Sequence, residues 1–365
     1  MTAASSLLAT PPRRQPPRFH ALRVHAVDPL TEDAAAVTFD VPPELAAAYD
    51  FAPGQSLTLR RHVDGREERR TYSICAAAGS KPRIGVREIP EGLFSRWLVR
   101  DIRSGDVIDV QTPHGSFQAD PAAGGRHLCI AAGSGITPML SIATSVLANP
   151  DAEVTLLYGN RTTGSVMFAE ELADLKNRYG ARLQLVHVLS REPRDVELFS
   201  GRLDADRLRR IIDVLVPIEA IDDVWLCGPF AMTVDARAVL ADLGVPPERI
   251  HFELFYVDEP PPELHRADAV LSGETSQVTV TLDGVTSTGP MSRDASILDG
   301  AQSTRTDVPF ACKGGVCGTC RALVRDGEVD MRRNYALEQA EVAAGFVLTC
   351  QSHPVSENVT VDFDA

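Results

Sequence analysis

The chain has 365 residues, of which 44% are hydrophobic and 24% charged, a composition typical of globular proteins with room for two or three domains. Its formal net charge of −14 at pH 7 disfavours binding to nucleic acid, and no apolar stretch is long enough to span a membrane. The odd total of seven cysteines and the lack of a recognisable secretion signal favour a reducing, cytoplasmic setting over a disulfide-linked protein.

The first two segments are an arm and a predicted barrel. Residues 1–18 are rich in proline and arginine, which predicts a disordered arm without a fold of its own. Residues 19–121 contain short alternating runs, such as SLTLRRHV and TYSICAA, which glycines and prolines interrupt. This pattern predicts an antiparallel β-barrel, with one helix in the stretch GLFSRWLVRDI.

Two short motifs in the predicted barrel are candidates for holding a flavin. The motif RTYS contains Arg70, Tyr72 and Ser73, and GLFS supplies Gly92 and Ser95 at a predicted helix start. On a strand, Arg70 and Tyr72 share one face, so a guanidinium can meet a phosphate beside an aromatic ring. The helix start adds backbone donors for a pyrophosphate. The alternative is that Tyr72 is an ordinary packing residue on a strand.

Residues 122–258 alternate apolar strands with helical patterns, which predicts a parallel sheet with crossover helices. In AAGSGITPML, a strand over 127–132 is expected to end at Gly133 and Gly135, and Thr137 is expected to cap a helix that begins at Pro138. The third glycine of the dinucleotide fingerprint is missing, and no acidic residue follows the second strand. An ordinary NAD dehydrogenase is therefore disfavoured.

Later strands of this segment end in residues suited to a nucleotide. Arg161 in YGNR and the pair Ser190 and Arg191 in SRE lie at predicted carboxyl ends of strands, where open parallel sheets bind ligands. Two arginines and a hydroxyl suit a 2′-phosphate and hence NADPH, although solvated loop arginines are the alternative. Cys227 and Gly228 end another strand, and Cys227 is either close to the nicotinamide or a core residue.

The C-terminal part is predicted to be a separate, cysteine-bearing domain at residues 269–365, joined by a Pro-rich linker at 259–268. Residues 270–365 carry 7 Lys and Arg against 13 Asp and Glu. Acidic domains of this kind dock on basic partners, but an acidic surface can equally serve solubility alone.

Four cysteines of this domain have the spacing of a plant-type [2Fe-2S] site. Cys312, Cys317 and Cys320 form a C-x4-C-x2-C pattern, and Cys350 follows after a long gap. The glycines between them allow the loop to turn its N–H groups toward the sulfur atoms. Structural zinc is the alternative, but only one C-x2-C pair is present where zinc ribbons usually have two.

Taken in order, the motifs RTYS, GLFS, GSGITP, YGNR, SRE, CGP and the cysteine set resemble ferredoxin-NADP reductase-like flavoproteins that carry a plant-type ferredoxin domain at the C-terminus. The resemblance covers nearly the whole chain after residue 18. It implies a multi-domain fold with an antiparallel β-barrel FAD domain, an α/β parallel-sheet NADP domain and a β-grasp [2Fe-2S] ferredoxin domain. It also implies that Arg70 contacts FAD phosphate, that Tyr72 and Ser73 lie against the isoalloxazine, and that Gly92 and Ser95 hold the pyrophosphate.

The resemblance further implies that NADPH reduces FAD by hydride transfer, and that electrons pass singly through the cluster to a di-iron oxygenase subunit. Tyr72, Ser73 and Cys227 are then the candidate catalytic residues. The family covers its flavin with a late aromatic residue, and of those in HFELFYVD we favour Phe255. Two alternatives stay open: a reductase for a Rieske-type ring or steroid hydroxylase, and a redox sensor that switches a binding partner.

Overall fold

The computed structural model describes residues 18–63, 65–90, 92–255, 275–305, 308–337 and 339–365. The predicted linker at 259–268, Tyr256 and all of the predicted arm except Arg18 lie outside the described residues. Within these ranges, no helix combines the length and the apolar character needed to cross a lipid bilayer. The described strands form one sheet in the barrel segment, one in the second segment and two in the C-terminal segment. The predicted domain boundaries themselves stay predictions.

The N-terminal sheet is an antiparallel barrel, as the alternating pattern predicts. Its strands follow the order β4-β3-β6-β1-β2-β5, and a bridge between Ile74 and Ile84 joins the two edge strands. Leu22, Leu57 and Leu59 fill the interior, because alternate residues of each strand face inward. The elements of this barrel are β1 (Phe19–Thr31), β2 (Ala34–Asp40), β3 (Ser56–Val63), β4 (Arg66–Ser73), β5 (Arg83–Arg87), α1 (Leu93–Arg100) and β6 (Val107–Gln111).

The second sheet is five-stranded and parallel, which confirms the predicted α/β architecture. Its strands are β7 (Gly125–Ala132), β8 (Ala152–Asn160), β9 (Leu183–Leu189), β10 (Asp223–Cys227) and β11 (Ile250–Glu253), and its helices are α2 (Ile136–Val146), α3 (Ala169–Tyr179), α4 (Ala205–Leu215) and α5 (Phe230–Asp242). The strand order is β11-β10-β7-β8-β9, so the winding direction reverses between β7 and β10. Ligands of open parallel sheets bind beyond the carboxyl ends of the strands at such a point.

The predicted start of helix α2 is wrong. The helix begins at Ile136, and Gly135 occupies the N-cap position without any side-chain bond. Thr137 lies inside the first turn, where its hydroxyl donates to the carbonyl of Ser134 at 3.0 Å. The helix can start this early because the missing N–H of Pro138 falls among the first-turn donors that have no helical acceptor in any case.

The C-terminal unit, from residue 275 onward, has the predicted β-grasp form. Its elements are β12 (Thr275–Leu282), β13 (Val285–Ser292), α6 (Ile297–Gln302), β14 (Arg321–Asp326), β15 (Val329–Met331), α7 (Gln339–Ala343), β16 (Phe346–Leu348), β17 (Ser352–Pro354) and β18 (Asn358–Asp362). The hairpin β12–β13 pairs in parallel with β18 at the centre of a mixed sheet, and α6 buries Ile297 and Leu298 in the core beneath it. Residues 311–320, here called the cluster loop, lead directly into β14.

Candidate functional site

The predicted flavin residues of the RTYS motif lie at the carboxyl end of β4. The Tyr72 ring lies 6.3 Å from that of Phe94 in α1, and burial raises the pKa of Tyr72. The Arg70 side chain is about half exposed and forms an ion pair with Glu68 at 3.0 Å. Ser73 is buried, and its hydroxyl reaches the second sheet. The residues thus combine an apolar aromatic surface with an accessible guanidinium, which fits a ring joined to a phosphate.

The GLFS motif forms the start of α1, with Gly92 at the N-cap position. Ser95 is buried, and its hydroxyl accepts a hydrogen bond from the N–H of Ile89 at 3.1 Å. A Cβ atom on Gly92 would lie 2.6 Å from the Ser95 hydroxyl and 2.9 Å from the Ile89 carbonyl, so this turn needs glycine. The helix start therefore presents backbone N–H groups of the kind that bind a pyrophosphate.

A carboxyl group without a predicted role joins the barrel to the parallel sheet. Glu253 ends β11, where its carboxyl accepts hydrogen bonds from Ser73 at 2.7 Å and Ser56 at 3.3 Å. In the sheet register, Glu253 pairs with Cys227 on the neighbouring strand. Ser73 and Cys227, predicted separately, are thus brought to the two sides of one carboxyl group.

The environment of Glu253 allows it to hold a proton near neutral pH. The residue keeps some accessible surface, but its carboxyl lies deep among protein atoms, and this burial raises its pKa to about 7 despite the opposing serine bonds. Burial and the nearby Glu253 also raise the pKa of Cys227, so that thiol stays protonated. The one sequence feature that points to Glu253 is its position as an acidic residue at the end of an apolar strand, at the same sheet edge as Cys227.

Replacing Glu253 by glutamine is expected to remove a pH dependence of stability. The unfolded carboxyl loses its proton near pH 4.5, whereas the folded one keeps it to about pH 7. Between these values the folded state binds more protons, so stability falls as pH rises, by roughly 3 kcal/mol in total. Thermal unfolding at pH 5 and pH 7.5 should show this loss in the wild type and in an exposed control, Glu248→Gln, but not in Glu253→Gln. Equal losses in all three proteins would contradict the assignment.

The glycines of the second unit line the crevice where the strand order reverses. Gly133 has a φ of +56°, in the left-handed region, and its carbonyl accepts a hydrogen bond from the Tyr158 hydroxyl at 2.9 Å. A Cβ atom on Gly135 would overlap the carbonyl of Cys227, and one on Gly228 would lie 3.2 Å from the Ala132 nitrogen. The loops after β7 and β10 therefore touch through backbone, as a nucleotide crevice at this position requires.

A matched pair of glycine substitutions tests this close approach. Gly135→Ala should lower the stability of the protein by about 1–3 kcal/mol and raise the Michaelis constant for the nucleotide, because the loop after β10 must move away. Gly164→Ala serves as the control, since no atom lies within 4 Å of the added methyl group. Thermal unfolding and steady-state kinetics measure both effects. A Gly135→Ala protein that matches the control would show that the loops are not in contact.

The predicted phosphate-binding arginines lie side by side beyond β8 and β9. The N–H of Arg191 donates to the carbonyl of Arg161 at 2.8 Å, and Ser190 directly precedes Arg191. The Glu192 carboxylate accepts from both the N–H and the hydroxyl of Thr163, each at 2.7 Å, which ties the two loops together. The structure therefore brings both guanidinium-bearing residues to one end of the same sheet edge.

Arg161 also contacts the barrel. Its guanidinium is half exposed and pairs with the carboxylate of Asp33 at 3.1 Å, and Arg87 lies 3.4 Å from the same carboxylate. A 2′-phosphate bound to Arg161 would compete with this carboxylate. No local sequence pattern indicates this contact, because Asp33 and Arg161 are 128 residues apart.

The four predicted cluster cysteines meet at one end of the C-terminal unit. Cys317 hydrogen-bonds to Cys312 and Cys320 hydrogen-bonds to Cys350, and these bonds lower the pKa of Cys312 and of Cys350. In the ranges that the structure describes, no three His, Cys, Asp or Glu side chains converge on a position for one metal ion. A [2Fe-2S] cluster divides its four thiolates between two irons, so the arrangement in two pairs is the relevant observation.

The surroundings of these thiols fit a negatively charged iron–sulfur cluster. The N–H of Gly314 donates to the sulfur of Cys312 at 3.3 Å, and the Gln351 amide lies 3.6 Å from the sulfur of Cys350. Such donors offset the charge on thiolate ligands. Gly315 and Gly318 have φ angles of +79° and +65°, so glycine occupies two of the left-handed positions of the loop, and Lys313, with a φ of +51°, occupies a third.

The late aromatic residues are separated by the structure. Phe252 lies beneath the guanidinium of Arg237, at 4.2 Å, and packs against the core of the parallel-sheet unit that includes Leu226. Phe255 is half-buried and packs against the other core, which includes Cys227. Phe255 therefore stays the predicted flavin cover, whereas Phe252 is committed to internal packing.

Comparisons with known proteins match three successive parts of the chain to family models. The Oxidoreductase FAD-binding domain matches residues 21–119, the Oxidoreductase NAD-binding domain matches residues 129–238, and the 2Fe-2S iron-sulfur cluster binding domain matches residues 280–355. The three matches follow the same order as the barrel, the parallel-sheet unit and the C-terminal unit.

Individual proteins are similar over nearly the whole chain. A component of 1,2-phenylacetyl-CoA epoxidase from Escherichia coli (strain K12) is 45% identical, and the alignment covers 95% of this chain and 98% of that protein. The ferredoxin reductase component of 3-ketosteroid-9-alpha-monooxygenase from Rhodococcus rhodochrous is 33% identical over 94% and 96% of the two chains. The fold is also that of phthalate dioxygenase reductase, with a TM-score of 0.60 at 23% identity over 94% and 98%. The chain therefore belongs to the family of oxygenase reductase components with FAD-binding, NAD-binding and 2Fe-2S domains, which includes this phenylacetyl-CoA epoxidase component.

Proposed function

We propose that this protein is the reductase component of a cytoplasmic phenylacetyl-CoA epoxidase, passing electrons from NADPH through FAD and a [2Fe-2S] cluster to a di-iron oxygenase subunit. The observation that carries the proposal is the 45% identity to the phenylacetyl-CoA epoxidase component over 95% of the chain. The geometry supports it, because Glu253 joins Ser73 of the flavin-side strand to Cys227 of the nucleotide crevice.

In the proposed reaction, NADPH gives up two electrons together as a hydride, whereas the cluster passes them on one at a time. When bound, FAD supplies a hydride acceptor that can release electrons singly, and a [2Fe-2S] cluster supplies a one-electron carrier. The residues of the chain bind and orient these groups. Arg70 would neutralise phosphate charge, Gly92 would present the amides of α1 to the pyrophosphate, and Tyr72 would give the ring a dry surface.

The residues around Glu253 would fix the geometry of hydride transfer. The Ser73 hydroxyl is held by the Glu253 carboxyl at 2.7 Å, so its oxygen has a defined position at the end of β4. Cys227 is buried with a protonated thiol and offers a neutral, apolar surface at the nucleotide crevice. The Glu253 carboxyl can hold a proton near neutral pH in a site sheltered from water. Orientation of this kind provides a large share of the rate of a transfer reaction.

Reconstitution with purified oxygenase components tests the proposed partner. Mixed with the di-iron oxygenase subunits of a phenylacetyl-CoA epoxidase, the protein should support epoxidation of phenylacetyl-CoA at the expense of NADPH. Product formation should depend on this chain and stop when it is omitted. If the protein reduces cytochrome c at full rate but supports no turnover by that oxygenase, its partner is a different oxygenase.

The second candidate is a reductase for a Rieske-type steroid or ring hydroxylase, and the 33% identity to the 3-ketosteroid-9-alpha-monooxygenase component favours it. The same assay with a Rieske hydroxylase and a steroid substrate distinguishes the two, since only the cognate oxygenase should form product. A redox sensor, in contrast, would not sustain NADPH oxidation with any external acceptor.

A further inference from the structure

Two aromatic contacts beside the cluster loop connect the C-terminal unit to the other two units. The ring of Phe310 lies 4.5 Å from the guanidinium carbon of Arg69 in the barrel. The ring of Tyr335 makes an edge contact with that of Phe230 in the parallel-sheet unit, with centroids 5.4 Å apart. Both contacts cross from one unit to another, so they constrain where the cluster loop sits.

The contacts lie next to residues already assigned to cofactors. Phe310 precedes the predicted cluster ligand Cys312 by two residues, and Arg69 is adjacent to Arg70 in the flavin motif. On the other side, the N–H of Tyr335 donates to the carbonyl of Gly315 inside the cluster loop, at 3.1 Å. The Phe310 contact is therefore only a few covalent bonds away from its cofactor residues, whereas the Tyr335 contact is joined to the cluster loop by this hydrogen bond.

The cluster loop and the predicted flavin site face the same cavity between the barrel and the C-terminal unit. A cavity of about 790 Å³ separates the barrel from the C-terminal unit, and its lining includes Arg70, Phe310 and Cys312. The predicted phosphate ligand of the flavin and the first predicted cluster ligand thus line the same cavity. Any rotation of the C-terminal unit would change the distance across it.

The Phe310 contact is strong because it is buried. Arg69 is 5% exposed and Phe310 is 7% exposed. The Arg69 guanidinium donates to Glu67 at 2.7 Å and also lies 5.1 Å from the ring of Phe19. A guanidinium without water gains more from an aromatic face than an exposed one does. Replacing the ring by an aliphatic side chain removes this attraction while it keeps most of the apolar volume.

We propose that Phe310 and Arg69, supported by Phe230 and Tyr335, are positioning residues that hold the cluster loop toward the flavin site and thereby set the rate of flavin-to-cluster electron transfer. In that step one electron leaves the reduced flavin and reduces the oxidised cluster, and no covalent bond forms or breaks. The inference rests on the proposed function, since it needs both cofactors. The residues act through the position of the loop.

The test uses the full-length protein with both cofactors bound and NADPH as the reductant. In Phe310→Leu and in Arg69→Met, bleaching of the flavin by NADPH should keep its wild-type rate. Reduction of the cluster, followed by rapid-freeze electron paramagnetic resonance, should slow by about thirtyfold, which corresponds to the loss of a desolvated cation–π contact. Iron content and the cluster midpoint potential should be unchanged in both variants. The conservative variant Phe310→Tyr, which keeps an aromatic ring, should transfer electrons at the wild-type rate.

Phe346→Leu provides the matched control. The Phe346 ring contacts the guanidinium of Arg321 at 3.4 Å, next to Cys320 but wholly within the C-terminal unit, so its loss should leave the transfer rate unchanged. Phe310 also belongs to the core of its own unit, and if its variant loses the cluster, Arg69→Met decides from the barrel side. Wild-type transfer in Arg69→Met, or equal slowing in Phe346→Leu, would overturn the inference. If NADPH fails to reduce the flavin of the wild-type protein, that result would instead overturn the proposed function.

Discussion

Changing Cys320 to serine is expected to separate flavin reduction from cluster reduction. Cys320 is 3% exposed and hydrogen-bonded to Cys350, so it lies at the centre of the predicted cluster site. A serine hydroxyl is not ionised at neutral pH and is a poor substitute for a thiolate ligand to iron. NADPH should still bleach the flavin at the wild-type rate, whereas cytochrome c reduction should fall to the level of protein that lacks the cluster.

Stopped-flow absorbance measures flavin reduction, and cytochrome c assays measure the electrons that leave the protein. Iron and sulfide analysis measures the cluster content. Cys129→Ala is the control, because Cys129 is an equally buried cysteine in the core of the parallel-sheet unit. It should retain iron, sulfide and cytochrome c activity. A Cys320→Ser protein that reduced cytochrome c at full rate would show that electrons leave without passing through the cluster.

The second large effect is expected from replacing Arg161 and Arg191 together by glutamine. The two residues are joined through their backbones beyond β8 and β9, at the carboxyl edge of the parallel sheet. Two charge-assisted bonds to a 2′-phosphate, at about 1.5 kcal/mol each, correspond to about a hundredfold in binding. The Michaelis constant for NADPH should therefore rise about a hundredfold, while that for NADH, which has no 2′-phosphate, should change little.

Steady-state kinetics with both nucleotides measure this difference. Arg126→Gln is the matched control, since Arg126 lies at the amino end of β7 and pairs with Glu153 at 3.1 Å, far from the carboxyl edge of the sheet. Thermal unfolding should accompany the kinetics, because Arg161 also pairs with Asp33 of the barrel. Equal increases for NADPH and NADH would contradict the assignment of the two arginines to the 2′-phosphate.

Features written in local sequence could be predicted. The alternating pattern of the barrel, the alternation of strands and helices, and the cysteine spacing each reflect contacts among near neighbours in the chain. Residues at the carboxyl ends of strands, such as Arg161 and Cys227, could be placed because the parallel sheet aligns all of these ends. The error at Thr137 is also local, since a short turn before α2 let the helix start two residues earlier than Pro138 suggested.

Features that depend on contacts between units could not be predicted. Glu253 acquires its role only through Ser73, 180 residues away, and the sequence shows only that it is an acid at the end of an apolar strand. The contact of Arg69 with Phe310 is a similar case, because the two residues belong to different units. Periodicity reports which face of an element is buried, but it does not report which other element covers that face.

The most direct test of the electron relay is to reduce the cofactor-loaded protein anaerobically with NADPH and record flavin absorbance and electron paramagnetic resonance on the same samples. We expect the flavin to bleach and a reduced [2Fe-2S] signal then to grow in proportion to the protein, from a cluster held by Cys312, Cys317, Cys320 and Cys350. A bleached flavin without any cluster signal, in protein containing zinc in place of iron and sulfide, would contradict this relay.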